Sequence, residues 1–322
     1  MATSDYFAST RPTPLTEAEI QKWRSIPREE WKRFWYEEYV PADQRPEWPN
    51  NVRKIEAEKF PCHGEWMTVP ARDGYEIPVL VYKPKHEGKT AVFFQIHGGG
   101  FATGHPLTND YECTLYNQEL DILVVSIGYR LAPEYEYPCG LNDCYDVIKW
   151  FHDHAEEWNI DVDHMGVGGC SSGGHLTVGT CMLAAQRKEF KLCYQMLLYP
   201  GMDNYGIPDT TDDAIEVNTM YINLYSDVEA TKNDPLVNPL TASDELLQQL
   251  PPALVLTAGA DWLKGPADDF ANRLMQNGVP VTYWCVAGAV HAFTIHFPGC
   301  WDEERAPKAQ QFMLDCFRQC LL

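Results

Sequence analysis

Residues 164–179 read HMGVGGCSSGGHLTVG. A short apolar strand runs into a glycine-rich turn and then into the start of a helix, and the turn holds three candidate nucleophiles, Cys170, Ser171 and Ser172. A strand-turn-helix elbow presents one side chain on a strained backbone, and the residues two before and two after it must be small so that strand and helix can approach. Centred on Cys170 the flanks are Gly168 and Ser172; centred on Ser172 they are Cys170 and Gly174; centred on Ser171 they are Gly169 and Gly173. Only Ser171 has glycine on both sides. The helix that follows points its N-terminus at the turn, where unpaired N–H groups favour developing negative charge. Glycine-serine clusters also make plain turns, so the reading needs support from elsewhere in the chain.

Working outward from the elbow, strand and helix alternate from about residue 65 to the end. Strands are expected at Trp66–Val69, Ile77–Tyr82, Ala91–Ile96, Ile122–Ile127, Met165–Gly168, Leu192–Leu198, Ala253–Thr257 and Val281–Val286. Several are continuous apolar runs, as for strands buried on both faces of a parallel sheet. Helices are expected near Asp110–Glu119, Leu141–Trp158, Gly173–Arg187, Ala267–Gln276 and Glu304–Leu321, with Cys316 and Cys320 on one face of the last. This order implies an α/β fold with one doubly wound sheet. Two segments stand outside it. The first fifty residues carry Ile20, Trp23, Trp31, Phe34 and Trp35 at roughly helical spacing, with a capping box at Thr16–Glu19 and Pro27 placed to begin a second helix. Residues 201–250 are too long for an ordinary connection, and Met220, Tyr221, Leu224 and Tyr225 argue for a packed insertion.

Composition narrows the partners. The 322-residue chain has a formal net charge of −21, which repels nucleic acid and anionic membrane surfaces and leaves small molecules as the expected ligands. The start, MATSDYFAST, lacks a charged residue followed by an apolar run, and no stretch is long enough to span a bilayer, so a cytoplasmic protein is expected. Eleven cysteines, an odd number spread from Cys62 to Cys320, fit reduced thiols better than a disulfide framework. No His/Cys cluster has zinc-site spacing, and neither a metal nor a cofactor is expected.

A second glycine run, FFQIHGGGFATG at 93–104, also follows an apolar strand. Glycines there let backbone N–H groups face a carbonyl oxygen without obstruction. A serine nucleophile needs a histidine base oriented by an acid, and in a fold of this strand-turn-helix class the acid and then the histidine follow the serine at the ends of later strands. Asp261 follows ALVLTAGA and His291 follows VTYWCVAGAV, both just past expected strand ends. The rivals are less well placed. His175 lies inside the elbow helix and reads as a packing or hydrogen-bonding residue, His296 lies five residues beyond His291, and Asp268 and Asp269 read as solvated charges within a helix.

These residues make the chain resemble the hormone-sensitive-lipase-like branch of the α/β-hydrolase esterases. HGGGF at 97–101, GYRLAPE at 128–134, GCSSGG at 169–174, AGADWL at 258–263 and VHAF at 290–293 carry the match, in the family's order, over roughly residues 65–320. The resemblance implies an α/β-hydrolase fold with a mostly parallel eight-stranded sheet flanked by helices and a helical cap. The core would comprise 61–200 and 251–322, and the cap the arm 1–60 plus the insertion 201–250. Ser171 would be the nucleophile, Asp261 the acid and His291 the base, with the backbone N–H groups of Gly99, Gly100 and Ser172 as oxyanion donors. The implied activity is hydrolysis of short- to medium-chain acyl esters, and a homodimer through the final strand and helix is common in the family. An amidase, deacetylase or lactonase would use the same triad, while a non-catalytic ligand-binding relative would not label with a fluorophosphonate. Three positions depart from the family's habit: Cys170 stands where Asp or Thr is usual, Ser172 where Ala is usual, and Ala292 where Gly commonly follows the catalytic histidine.

Overall fold

Eight strands form a single sheet in the order β1-β2-β4-β3-β5-β6-β7-β8: Glu65–Pro70, Glu76–Tyr82, Thr90–Ile96, Leu123–Ile127, Ile160–Cys170, Tyr194–Leu198, Ala253–Ala258 and Val281–Val286 for β1 to β8 in chain order. The computed structural model describes residues 61–203, 212–296 and 299–322, together with 25–35 and positions 16, 18, 21, 22 and 37 of the N-terminal arm. β2 runs antiparallel to both β1 and β4, and β3 to β8 run parallel to one another. The capping box expected at Thr16–Glu19 and most of the arm lie outside the described residues.

The apolar runs are explained by layers on both faces. Along β3, Val92, Phe94 and Ile96 enter one core while Ala91 and Phe93 enter the other, the period-two alternation of a strand covered on both sides. Helices α3 (Cys139–Asp153), α4 (Ser172–Arg187) and α6 (Lys264–Gln276) contribute Phe151, Leu176 and Phe270 to the first core. Helices α2 (Asp110–Leu120) and α7 (Ala306–Cys320) contribute Tyr116 and Phe317 to the second, where Phe317 meets Phe93 edge to face at 4.7 Å. Cys316 and Cys320 both turn toward this second core, as their spacing implies.

A third, smaller apolar cluster joins the two segments that stand outside the alternation. Trp31 of α1 (Arg28–Phe34) and Trp35 pack with Met220 and Leu224 of α5 (Asp212–Tyr225), and with Ala102 and Ala132 of the core. Arg28 donates to Asn223 O at 2.6 Å, and both Arg28 and Lys32 pair with Glu136. The GYRLAPE segment that carries Ala132 is anchored by Arg130, whose guanidinium takes buried Asp143 and exposed Asp73 as partners and lies over the rings of Tyr75 and Tyr135.

Most boundaries fall within about three residues of expectation, and two differ by more. α3 ends at Asp153 rather than Trp158, because Trp158 closes a turn onto His154 O while its indole still packs on Trp150 and Phe151. Its apolar spacing therefore continues after the helix has stopped. β5 begins at Ile160 rather than Met165: Ile160 pairs with Thr90 before a register shift, and the polar Asp161, Asp163 and His164 conceal that extension.

Candidate active site

The elbow occupies the C-terminal end of β5. Ser171 has φ 55° and ψ −122°, a conformation costly for a residue with a Cβ. It is held by its N–H to Leu198 O at 2.9 Å and by its own carbonyl, which accepts from His175 N–H. The flanking glycines are required by space. A Cβ at Gly173 would lie 2.2 Å from Ile96 O, and one at Gly169 would lie 2.5 Å from both Ile96 O and the Gly173 carbonyl carbon.

β7 and β8 deliver the other two members. Asp261 follows β7 and His291 follows β8, and the loops are tied together by Gly259 N–H to Val286 O and Ala260 N–H to Ala289 O. His291 Nδ1 lies 2.7 Å from Asp261 Oδ2, and its Nε2 lies 2.9 Å from Ser171 Oγ. A carboxylate only accepts, so Nδ1 carries the proton and the Nε2 lone pair faces the serine hydroxyl. The other Asp261 oxygen takes Leu263 N–H at 2.9 Å, which fixes the carboxylate. Ala292, at the position where the family commonly has glycine, adopts φ 64°, the left-handed region that glycine enters without penalty.

The glycine run bends in front of the elbow. Gly99 O accepts from the backbone and hydroxyl of Thr103, and both Gly99 (φ 122°) and Gly100 (φ 60°) have positive φ. Among the described residues the N–H groups of Gly99, Gly100 and Ser172 donate to no protein acceptor. Tyr221 of α5 lies directly on Gly100: a Cβ there would be 2.4 Å from the ring. The insertion thus reaches the glycine loop itself.

The rival residues are otherwise engaged. Both ring nitrogens of His175 face backbone carbonyls, Gly201 O at 2.9 Å and Leu236 O at 3.1 Å, so none is left for a serine. Burial holds its imidazole below the usual histidine range. His296 stacks on Tyr111 and gives its backbone N–H to Glu112. Asp269 is exposed, whereas Asp268 pairs with Lys264 and accepts from Tyr283 OH, so it is less solvated than its helical position implies. Cys170 is buried against Gly98, and burial together with the Glu112 charge pushes its thiol up to about 12. It is therefore a neutral thiol at physiological pH, unsuited to attack.

Three neighbours of the site were not legible in the sequence. Trp262 stacks on His291 with ring centroids 5.4 Å apart, and Tyr199 meets the same ring edge-on at 5.2 Å. Glu112 lies 2% exposed behind Cys170, its carboxyl raised by burial to about 7. Trp262 at least adjoins a candidate acid; Tyr199 and Glu112 sit in segments with no motif, and only tertiary packing brings them near.

A serine on the turn after β5, with an acid after β7 and a histidine after β8 of a mainly parallel sheet, is the layout of an α/β hydrolase. The α/β-hydrolase-fold family model matches residues 93–295, and the chain belongs to that family, in its hormone-sensitive-lipase-like branch. It is similar to an arylesterase of Saccharolobus solfataricus, 34% identical over 230 residues that make up 69% of this chain and 74% of the relative. An ethyl acetate hydrolase of Pseudomonas putida is 31% identical over 242 residues, 70% of this chain and 74% of the relative. Among solved structures, the thermostable carboxylesterase EstE1, cloned from a metagenomic library, superposes with a TM-score of 0.74 at 28% identity, covering 93% of this chain and 99% of its own. The protein is an enzyme of the serine-hydrolase fold. Among the described residues no helix is long and apolar enough to cross a membrane.

Proposed function

We propose that this protein is a serine carboxylesterase that hydrolyses short- to medium-chain acyl esters through an acyl-enzyme on Ser171. The observation that carries the reading is the unbroken chain of hydrogen bonds from Ser171 Oγ through His291 to Asp261. His291 Nε2 takes the hydroxyl proton as Oγ bonds to the ester carbonyl carbon, and the carbonyl oxygen becomes an oxyanion. The N–H groups of Gly99, Gly100 and Ser172, which have no protein acceptor among the described residues, are the donors available to it, each worth about 3 kcal/mol in such a site. The tetrahedral intermediate collapses as the imidazolium returns its proton to the departing alcohol. Water then repeats the sequence on the acyl-enzyme and releases the acid.

The arm and the 201–250 insertion act as one cap in this reading, supported by the shared Trp31, Trp35, Met220 and Leu224 cluster. Tyr221, seated on Gly100, leaves limited room above the glycine loop, which favours short acyl chains. The test is hydrolysis of p-nitrophenyl esters from two to twelve carbons by the parent and Ser171→Ala, with fluorophosphonate labelling of both. Ser171→Ala is expected to lose on the order of a millionfold in kcat and all labelling. Near-parental turnover by a folded Ser171→Ala protein would remove Ser171 from the mechanism, and a preference for the longest chains would remove the short-chain assignment.

A further inference from the structure

We infer that Trp262 is a positioning residue for His291, its indole face favouring the imidazolium that forms when the serine proton is taken. The inference rests on the reading of His291 as the base. The imidazole is held in its own plane by Asp261 Oδ2 at Nδ1 and by Ser171 Oγ at Nε2. These two hydrogen bonds and the covalent bond to Cβ fix the plane of the ring, and its faces are left for neighbouring side chains to cover. Trp262 does this on one face, with the two ring planes 26° apart and their centroids 5.4 Å apart. Tyr199 meets the ring at 71°. Its hydroxyl is turned to Thr294 Oγ1 at 2.6 Å, so it offers the imidazole ring carbons and no competing hydrogen bond.

Acid and indole come from consecutive residues of one turn. Leu263 N–H donates to Asp261 Oδ1 and Lys264 N–H donates to Asp261 O, so the backbone that orients the carboxylate also orients Trp262. The in-plane partner and the face partner of the base are therefore set by a single local structure. An indole face attracts a cation through its quadrupole, more strongly than the rings of Phe or Tyr do, and attracts neutral imidazole much less. The contact consequently strengthens as His291 gains its proton. Among the described residues, the titratable groups that face the imidazole include Asp261 at Nδ1 and Tyr199 beside the ring, with Cys170 and Glu112 close to Tyr199.

The experiment compares Trp262→Leu and Trp262→Phe with the parent, using an acetyl ester across pH 5 to 9. Trp262→Leu is expected to lower kcat about three- to tenfold with KM little changed, and to move the acid-side midpoint of the profile down by about half a pH unit to one. Trp262→Phe, with a smaller π-face, should fall between the two. Titration of the His291 Hε1 proton by NMR, in a Ser171→Ala background with the resonance identified by its loss in His291→Gln, should show the same order without any turnover. Midpoints unchanged in both variants, whatever happens to kcat, would overturn the inference, since a merely structural indole moves rate and stability but not the proton equilibrium. Should His291→Gln keep parental activity, the base assignment itself fails, and the NMR order still decides whether the indole acts on the ring.

Discussion

Glu112 offers a stability test whose sign is set by the structure. The residue is 2% exposed, and burial raises its carboxyl from an ordinary 4.5 to about 7 against the opposing hydrogen bonds from its own backbone, His296 N–H and Asn109. Between those two pH values the native state holds a proton that the unfolded chain has released. Unfolding then loses a proton, and stability falls as pH rises through the window. At 1.36 kcal/mol per pH unit, the interval from 4.5 to about 7 amounts to about 3 kcal/mol, present as a penalty above pH 7 and absent below 4.5. Glu112→Gln preserves the size of the side chain and the oxygen that accepts from His296 N–H at 3.2 Å, and it cannot ionise. Urea unfolding of parent and variant from pH 5 to 8 should therefore give similar stabilities at pH 5 and a variant more stable by about 2–3 kcal/mol at pH 8. A difference that stays flat across this range, or one that favours the parent increasingly as pH rises, would refute the account of Glu112 as a buried, near-neutral acid.

Gly100→Ala places a Cβ 2.4 Å from the Tyr221 ring at a residue with φ 60°. Esterase kcat should fall at least about tenfold, and adding Tyr221→Ala should recover part of it by removing the collision while leaving the backbone strain; no recovery would mean that Tyr221 is not the obstacle. Cys170→Ala should stay within about tenfold of parental activity, because a buried thiol behaves as a small apolar group. Iodoacetamide should not inactivate the parent in a single stoichiometric event, and if it did so through Cys170, the thiol would have to be reconsidered as nucleophile.

How far the sequence reaches depends on the kind of constraint. The inner strands were legible because strands covered on both faces must be apolar, while the edge strands β1 and β8, mostly exposed or half-buried, showed through their β-branched and aromatic residues. Boundaries failed where an apolar residue packs outside its helix, as Trp158 does, or where a strand begins in polar residues, as β5 does at Ile160. Ser171 was legible because Ile96 O leaves no room for a Cβ at Gly169 or Gly173, so the elbow writes its requirement into neighbouring positions. Ala292 shows the limit of such rules: the left-handed backbone there is kept at φ 64° although the residue is not glycine. The fold around it supplies what the side chain opposes.

By itself, then, the sequence determined the strand-helix alternation, the elbow serine and the candidate acid and base, because each depends on local sterics or on position at a strand end. The tertiary structure alone decided which groups surround them. Trp262 reaches the face of His291 because the loops after β7 and β8 are hydrogen-bonded together. Tyr221 rests on Gly100 because α5 is pinned beside α1. Glu112 loses its solvent because α2 and the His296 loop close over it. Contacts between residues far apart in the chain leave no periodic trace in it, since shape and burial specify them and no local backbone rule does.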